Sequence, residues 1–150
     1  RGWAPRAHQL AVLEHAQKRE SVLLISPTGG GKTLAGFLPS LAEANGYLVC
    51  AGGRTTPQGA PSDVVLVAKI DPANGSLAAW KEVTKLPKPM RDFGFVGHAG
   101  RLYVIGGSLG PNRTDEVYSA ALGADGSLGT WDAETKLPAK RSDFAVAAYP

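Results

Sequence analysis

The chain has 150 residues, 16 basic and 13 acidic, for a formal net charge of +3. That length fits one ordinary domain or two small pieces, and a hydrophobic content of 43% without single-sign charge runs excludes wholesale disorder and a dense basic nucleic-acid stripe. Cys50 is the single cysteine, which excludes an intramolecular disulfide and a multi-cysteine zinc site, and no apolar stretch has membrane-spanning length or the form of a signal peptide, so no membrane and a cytoplasmic location are expected.

In chain order, the first expected element is a helix. "PRAHQLAVLEHAQK" places Leu10, Leu13 and Ala16 at helical spacing, and Pro5 suits its first turn. "SVLLIS" follows as a continuous apolar run, of the kind a buried parallel strand needs. After a glycine-rich turn, "KTLAGFLPSLAEA" resumes helical spacing with Leu34, Phe37, Leu38 and Leu41, interrupted at Pro39. Asn45-Gly46 reads as its stop.

The turn itself carries chemistry. From Ser26 to Thr33, the stretch "SPTGGGKT" lets the backbone N–H groups at Thr28, Gly29, Gly30 and Gly31 point at phosphate oxygens. The helix after it offers its positive end. Lys32 is placed to pair the β- and γ-phosphates, and the Thr33 hydroxyl to help hold Mg²⁺. Ser26 stands where the common pattern begins with glycine. "GWAPRAHQ" followed by this loop resembles the start of a superfamily-2 DEAD/DEAH-type helicase, nearest to the Lhr-like, ligase-associated DNA helicases. The resemblance implies ATP and Mg as cofactors, nucleic acid as a partner, and adenine recognition by Gln9. It covers residues 1 to about 43 only. A helicase also needs an acidic Mg-holding motif, a second lobe and arginine fingers. Asp115-Glu116 is the one acidic candidate, and it follows a polar turn rather than an apolar strand. ATP hydrolysis by this chain alone is therefore not expected, and no catalytic residue is assigned.

From Gly46 the pattern changes to short strands between turns: "YLVCAGG", "DVVLVAKI", "AAWKEV", "DFGFVGHA", "RLYVIGG", "EVYSAAL", "GTWDAE" and "DFAVAAY". This half repeats. Gly52-Gly53 returns as Gly106-Gly107, 54 residues on, while Trp80 returns as Trp131 and "TKLP" at Thr84 returns at Thr135, both 51 residues on. Asp92-Phe93 returns as Asp143-Phe144, and Arg91 is matched with Arg141. Thr114-Asp115 likewise matches Ser62-Asp63, which makes Asp115-Glu116 a repeat feature rather than a catalytic pair. Two strands leading to a diglycine, a later Trp and a period near 50 resemble the kelch-type β-propeller blade. The resemblance implies four-stranded sheets, close backbone approach at the diglycines, and Trp80 and Trp131 packed between blades.

The expected organisation is mixed: a helicase-like α/β P-loop segment at 1–45, then an all-β part with two kelch-like repeats at 46–99 and 100–150. It reads as a join or a fragment, since two blades leave sheet edges open. Three functions follow from it. One is an interaction module presenting loops to a protein or glycan, with an oligomer completing the propeller. Another is the ATP-binding piece of a DNA helicase. The third is a propeller enzyme, for which no site can be traced.

Overall fold

The computed structural model describes residues 40–54 and 59–148. The helix, strand and phosphate loop expected in residues 1–39, with Gln9 and Ser26 to Thr33, lie outside the described residues.

Two four-stranded antiparallel sheets follow each other along the chain. The first is built from β1 (Ser40–Ala44), β2 (Tyr47–Ala51), β3 (Val65–Lys69) and β4 (Lys81–Glu82), hydrogen-bonded in that order. The second uses β5 (Gly94–His98), β6 (Arg101–Ile105), β9 (Val117–Ala121) and β10 (Asp132–Ala133) in the same up-and-down manner. Between β6 and β9, a small hairpin pairs β7 (Ser108–Leu109) with β8 (Asn112–Arg113). Each large sheet has the form of a propeller blade.

β1 corrects the expected helix. Ser40–Ala44 is a strand, and it pairs with β2 from Ser40↔Ala51 to Ala44↔Tyr47. The first sheet therefore begins ahead of Gly46, where the sequence pattern changes. The physical reason lies in the alternation that follows Pro39. Ala42 and Ala44 are buried and Glu43 is exposed, which is a two-residue period. Asn45-Gly46 is not a helix stop. Its φ angles of 51° and 76° are those of a type I′ hairpin turn, the connection that matches strand twist. Ala99-Gly100, at 48° and 73°, makes the same turn between β5 and β6.

The repeat holds at the level of register. β1–β2 runs Ser40↔Ala51 and β5–β6 runs Gly94↔Ile105, so both partners move by 54 residues. The offset then falls by two, because the β2–β3 connection (52–64) is two residues longer than its counterpart (106–116). It falls by one more between the β3–β4 connection (70–80) and 122–131, giving 51 at β4 and β10. Insertions of this kind fall where a repeat array tolerates them, in connections.

The two sheets pack face to face. Val49, Ala51, Val65 and Val67 project from the first sheet onto Phe95, Leu102, Val104, Tyr118 and Ala120 of the second. Each of these is under one-tenth exposed. The innermost strands approach most closely: a side chain at Gly97 would collide with the Glu43 carbonyl. Phe144 and Val146 lie against Gly94 in turn, so β1, β5 and residues 144–148 succeed one another as the entering segments of successive blades do. "DFAVAAY" forms no strand over its described residues, 143–148, in contrast to expectation. It repeats the β5 sequence, but it pairs with no strand among the described residues, and a strand needs a ladder to satisfy its backbone groups.

Candidate interaction surface

The diglycines end β2 and β6, and four connections meet at that end of the sheets: 52–64, 83–93, 106–116 and 134–143. Main-chain hydrogen bonds lock each pair together. Gly53 N donates to Met90 O at 2.9 Å, and Gly107 N to Arg141 O at 2.8 Å. Leu86 N reaches Asp63 O, and Leu137 N reaches Asp115 O, both at 2.8 Å. The Ser62 hydroxyl accepts from Val64 N and the Thr114 hydroxyl from Glu116 N, both at 3.1 Å. This local turn explains why a hydroxyl residue precedes the acid in each repeat. Asp63 pairs with Lys85 and Asp115 with Lys136, each at 3.8 Å. Asp115 thus occupies the blade position expected of it.

The bonding also corrects one sequence match. Arg141 stands at the place of Met90, because both carbonyls receive the second glycine's N–H. Arg91 is one residue further on. Its guanidinium contacts the Asp92 carboxylate and donates to Gly110 O at 3.0 Å, tying the linker to the β7–β8 hairpin. Asp92 and Asp143 both have positive φ, at 57° and 61°, and Asp143 N donates to Asp92 O at 2.9 Å. Aspartate tolerates that conformation better than most side chains. The two linkers are therefore stacked on each other by their backbones.

Lys88 and Glu116 join the first linker to the second sheet, with Nζ–Oε distances of 2.8 and 2.9 Å. The hydrogen bond to Lys88 holds the Glu116 carboxyl below the usual carboxylate range, and the hydrogen bond to Glu116 holds Lys88 above its ordinary value. Burial, then Glu116, pushes the Tyr118 phenol up. Sequence reading missed this pair, since no counterpart stands at either position in the other repeat: the matching residues are Ala139 and Val64. By contrast Arg113, Lys140 and Arg141 are exposed, and their side chains have no hydrogen bond or ion pair among the described residues.

The two tryptophans separate. Trp131 packs against the core between the sheets, as expected. Trp80 is 43% exposed, contrary to expectation. The register explains the difference. Trp131 precedes β10 on the face turned to the first sheet, while Trp80 precedes β4 on the face turned away from the second. Cys50 shares that outer face and is half-buried, and burial pushes its thiol up. Missed entirely by the sequence reading was a polar network on the outer face of the second sheet. The Ser119 hydroxyl, fully buried, accepts from Arg101 and donates to Glu134 at 2.6 Å, and Arg101 also pairs with Asp132 at 3.0 Å. Its one sequence signal is a serine within an otherwise apolar strand.

Among the described residues, no group of three or more His, Cys, Asp or Glu could hold a metal. Nor is any helix among them long and apolar enough to cross a membrane.

No protein-family model matches the chain. It is similar to kelch-like protein 41b of Danio rerio, 29% identical over 111 residues, which are 73% of this chain and 16% of that protein. It is also similar to kelch-like protein 41a of the same organism, 25% identical over 107 residues, 71% of this chain and 16% of that protein. The chain spans about a sixth of the length of the curated relatives it matches, as their 16% coverage gives. These likenesses, together with two antiparallel sheets in repeat register, support a kelch-type segment. They give the helicase resemblance no support.

Proposed function

We propose that this chain is a kelch-type β-propeller interaction module that binds a protein through the connections at the diglycine end. The observation that carries the reading is the unpaired set Arg113, Lys140 and Arg141, exposed on connections that main-chain bonds hold to rigid sheets. Such cations complement an acidic segment, and a fixed scaffold keeps the ordering entropy of binding small. The test uses acidic, basic and neutral peptide libraries, with a glycan array in parallel. Preference for acidic peptides, lost in Arg113→Glu and Arg141→Glu with an unchanged melting profile, is the expected result. Binding confined to glycans, or indifferent to both charge reversals, overturns it.

A second reading rests on the sequence motif "SPTGGGKT". Under it, Ser26 to Thr33 binds Mg-ATP, with Gln9 on the adenine, Lys32 on the phosphates and Thr33 on the metal. Saturable nucleotide binding lost in Lys32→Ala is expected. Absence of binding in the wild-type chain ends this reading.

A further inference from the structure

Of the three asparagines in the chain, Asn45 and Asn74 are followed by glycine. Glycine carries no side chain to keep its backbone nitrogen from the preceding carboxamide. The two places differ in how they are held. Asn45 sits in the β1–β2 turn, where its Nδ2 donates to Leu122 O at 2.6 Å and Gly46 O accepts from Ile70 N at 2.9 Å. Asn74 lies in the β3–β4 connection, where residues 71–80 are all exposed. Its Oδ1 accepts from Ser76 N at 2.8 Å, which draws charge from Cγ and makes that carbon more electrophilic. Its Nδ2 has no partner among the described residues. The Gly75 N–H is bonded to Asp71 O at 2.7 Å, but nothing lies within 4 Å of a methyl group placed on Gly75, so this exposed turn has room to open locally.

We propose that Asn74 is a site of spontaneous deamidation and that the fold keeps the product. The Gly75 nitrogen loses its proton to solvent and bonds to Asn74 Cγ, the Cγ–Nδ2 bond breaks, and the amide leaves as ammonia. Water then opens the five-membered imide at either carbonyl, giving aspartate or its β-linked isomer. Nothing is oxidised or reduced, and water is the only co-reactant. The second repeat already displays the aspartate. Asp125 stands at the place of Asn74, and Ser127 N donates to Asp125 Oδ1 at 3.0 Å as Ser76 N does to Asn74. The turns around them are bonded alike: Gly123 N reaches Ser127 O as Asp71 N reaches Ser76 O, both at 2.8 Å. Bonds from the Ser127 hydroxyl and N–H hold the Asp125 carboxyl below the usual carboxylate range. An aspartate formed at position 74 therefore meets a turn built for it and is ionised at neutral pH. The β3–β4 connection is at the end of the sheet away from the diglycines, so the modification leaves the proposed ligand surface untouched.

Mass spectrometry of the full chain, incubated folded at mildly alkaline pH in heavy-oxygen water, tests the inference. Trypsin places the two asparagines in separate peptides, residues 70–81 and 33–54. Peptide 70–81 should convert to the acid with uptake of the label about tenfold faster than 33–54, the rate factor set by the side-chain hydrogen bond that Asn45 must give up. In urea the two should convert alike, which assigns the difference to the fold. Gly75→Ala should slow position 74 and leave position 45 unchanged. Asn74→Asp should keep the wild-type circular dichroism spectrum and urea midpoint. A folded chain in which peptide 70–81 stays unconverted, or converts no faster than 33–54, overturns the inference. So does an Asn74→Asp chain that loses the wild-type spectrum.

Discussion

Replacing Gly52 by alanine isolates the close approach on which the blade end depends. Gly52 has φ of +60°, and a Cβ there would lie 2.6 Å from the Met90 carbonyl oxygen and 2.7 Å from the Phe93 ring. Three effects add. The left-handed backbone costs an L-residue about 1–2 kcal/mol. Loss of glycine's freedom in the unfolded chain returns about 0.4–1 kcal/mol. Forcing a methyl group into occupied space costs about 1–3 kcal/mol, and here one obstacle is backbone that bonds Gly53 and cannot swing aside. The expected net loss is about 2–4 kcal/mol. Gly46 supplies the control, since its φ is +76° and nothing lies within 4 Å of the same methyl group. Gly46→Ala should lose only about 0.5–1 kcal/mol, the backbone part alone. Urea unfolding of the full chain gives both values, provided the two variants share the wild-type slope. If the two losses agree within about 0.5 kcal/mol, crowding at the diglycine is not what selects glycine, and the account of the blade end fails.

Further outcomes follow from the same geometry. Trp131→Ala should destabilise by about 2–3 kcal/mol, short of a fully buried tryptophan, while Trp80→Ala should cost under about 1 kcal/mol, both read by urea unfolding. Lys88→Met should cost about 0.5–1 kcal/mol near neutral pH, because the lysine end of the pair is partly solvated. The folded carboxyl of Glu116 titrates below its unfolded value, so its contribution is full above the ordinary carboxylate range and disappears as pH falls through the lowered value. Acid titration of stability should therefore be shallower in Lys88→Met than in wild type. Thr84→Val should lose about 1 kcal/mol with the hydroxyl bond to Leu128 O, again by urea unfolding. Ala99→Gly should stabilise by about 0.5 kcal/mol, as relief of the left-handed backbone at φ 48° slightly exceeds the added unfolded-state freedom.

The strands were legible where a two-residue alternation sat between turn residues. "YLVCAGG", "DVVLVAKI", "RLYVIGG" and "EVYSAAL" all carry a strand of the repeat. β1 was not legible for a definite reason. Leu38 and Leu41 fit a helical stripe as well as Ala42 and Ala44 fit a strand, and alanine's own propensity favours the helix. Asn45-Gly46 could not arbitrate. The same dipeptide ends helices and turns hairpins, because both need a residue at positive φ. What decides the matter is the pairing of β1 with β2 across five residues, a tertiary fact. The β7–β8 hairpin escaped notice for another reason. Two residues on each side of Gly110-Pro111 are too few to show any period.

The repeat is more exact in its main chain than in its side chains, and that difference locates its specificity. Met90 and Arg141 share one hydrogen-bonding role through their carbonyls, yet one is fully buried under the second sheet and the other is exposed. Tyr47 and Arg101 share a register position, yet one packs on Gly126 while the other is drawn into a network with Ser119 and Asp132. A backbone lattice fixed by glycine turns, hydroxyl turns and ladder bonds can accept either member of such a pair, because none of those bonds uses the side chain at the varied position. The blade is thus specified by few residues. The remaining ones set what each face meets, and an exposed member of such a pair, Arg141, is where contact with other molecules can be altered without disturbing the fold.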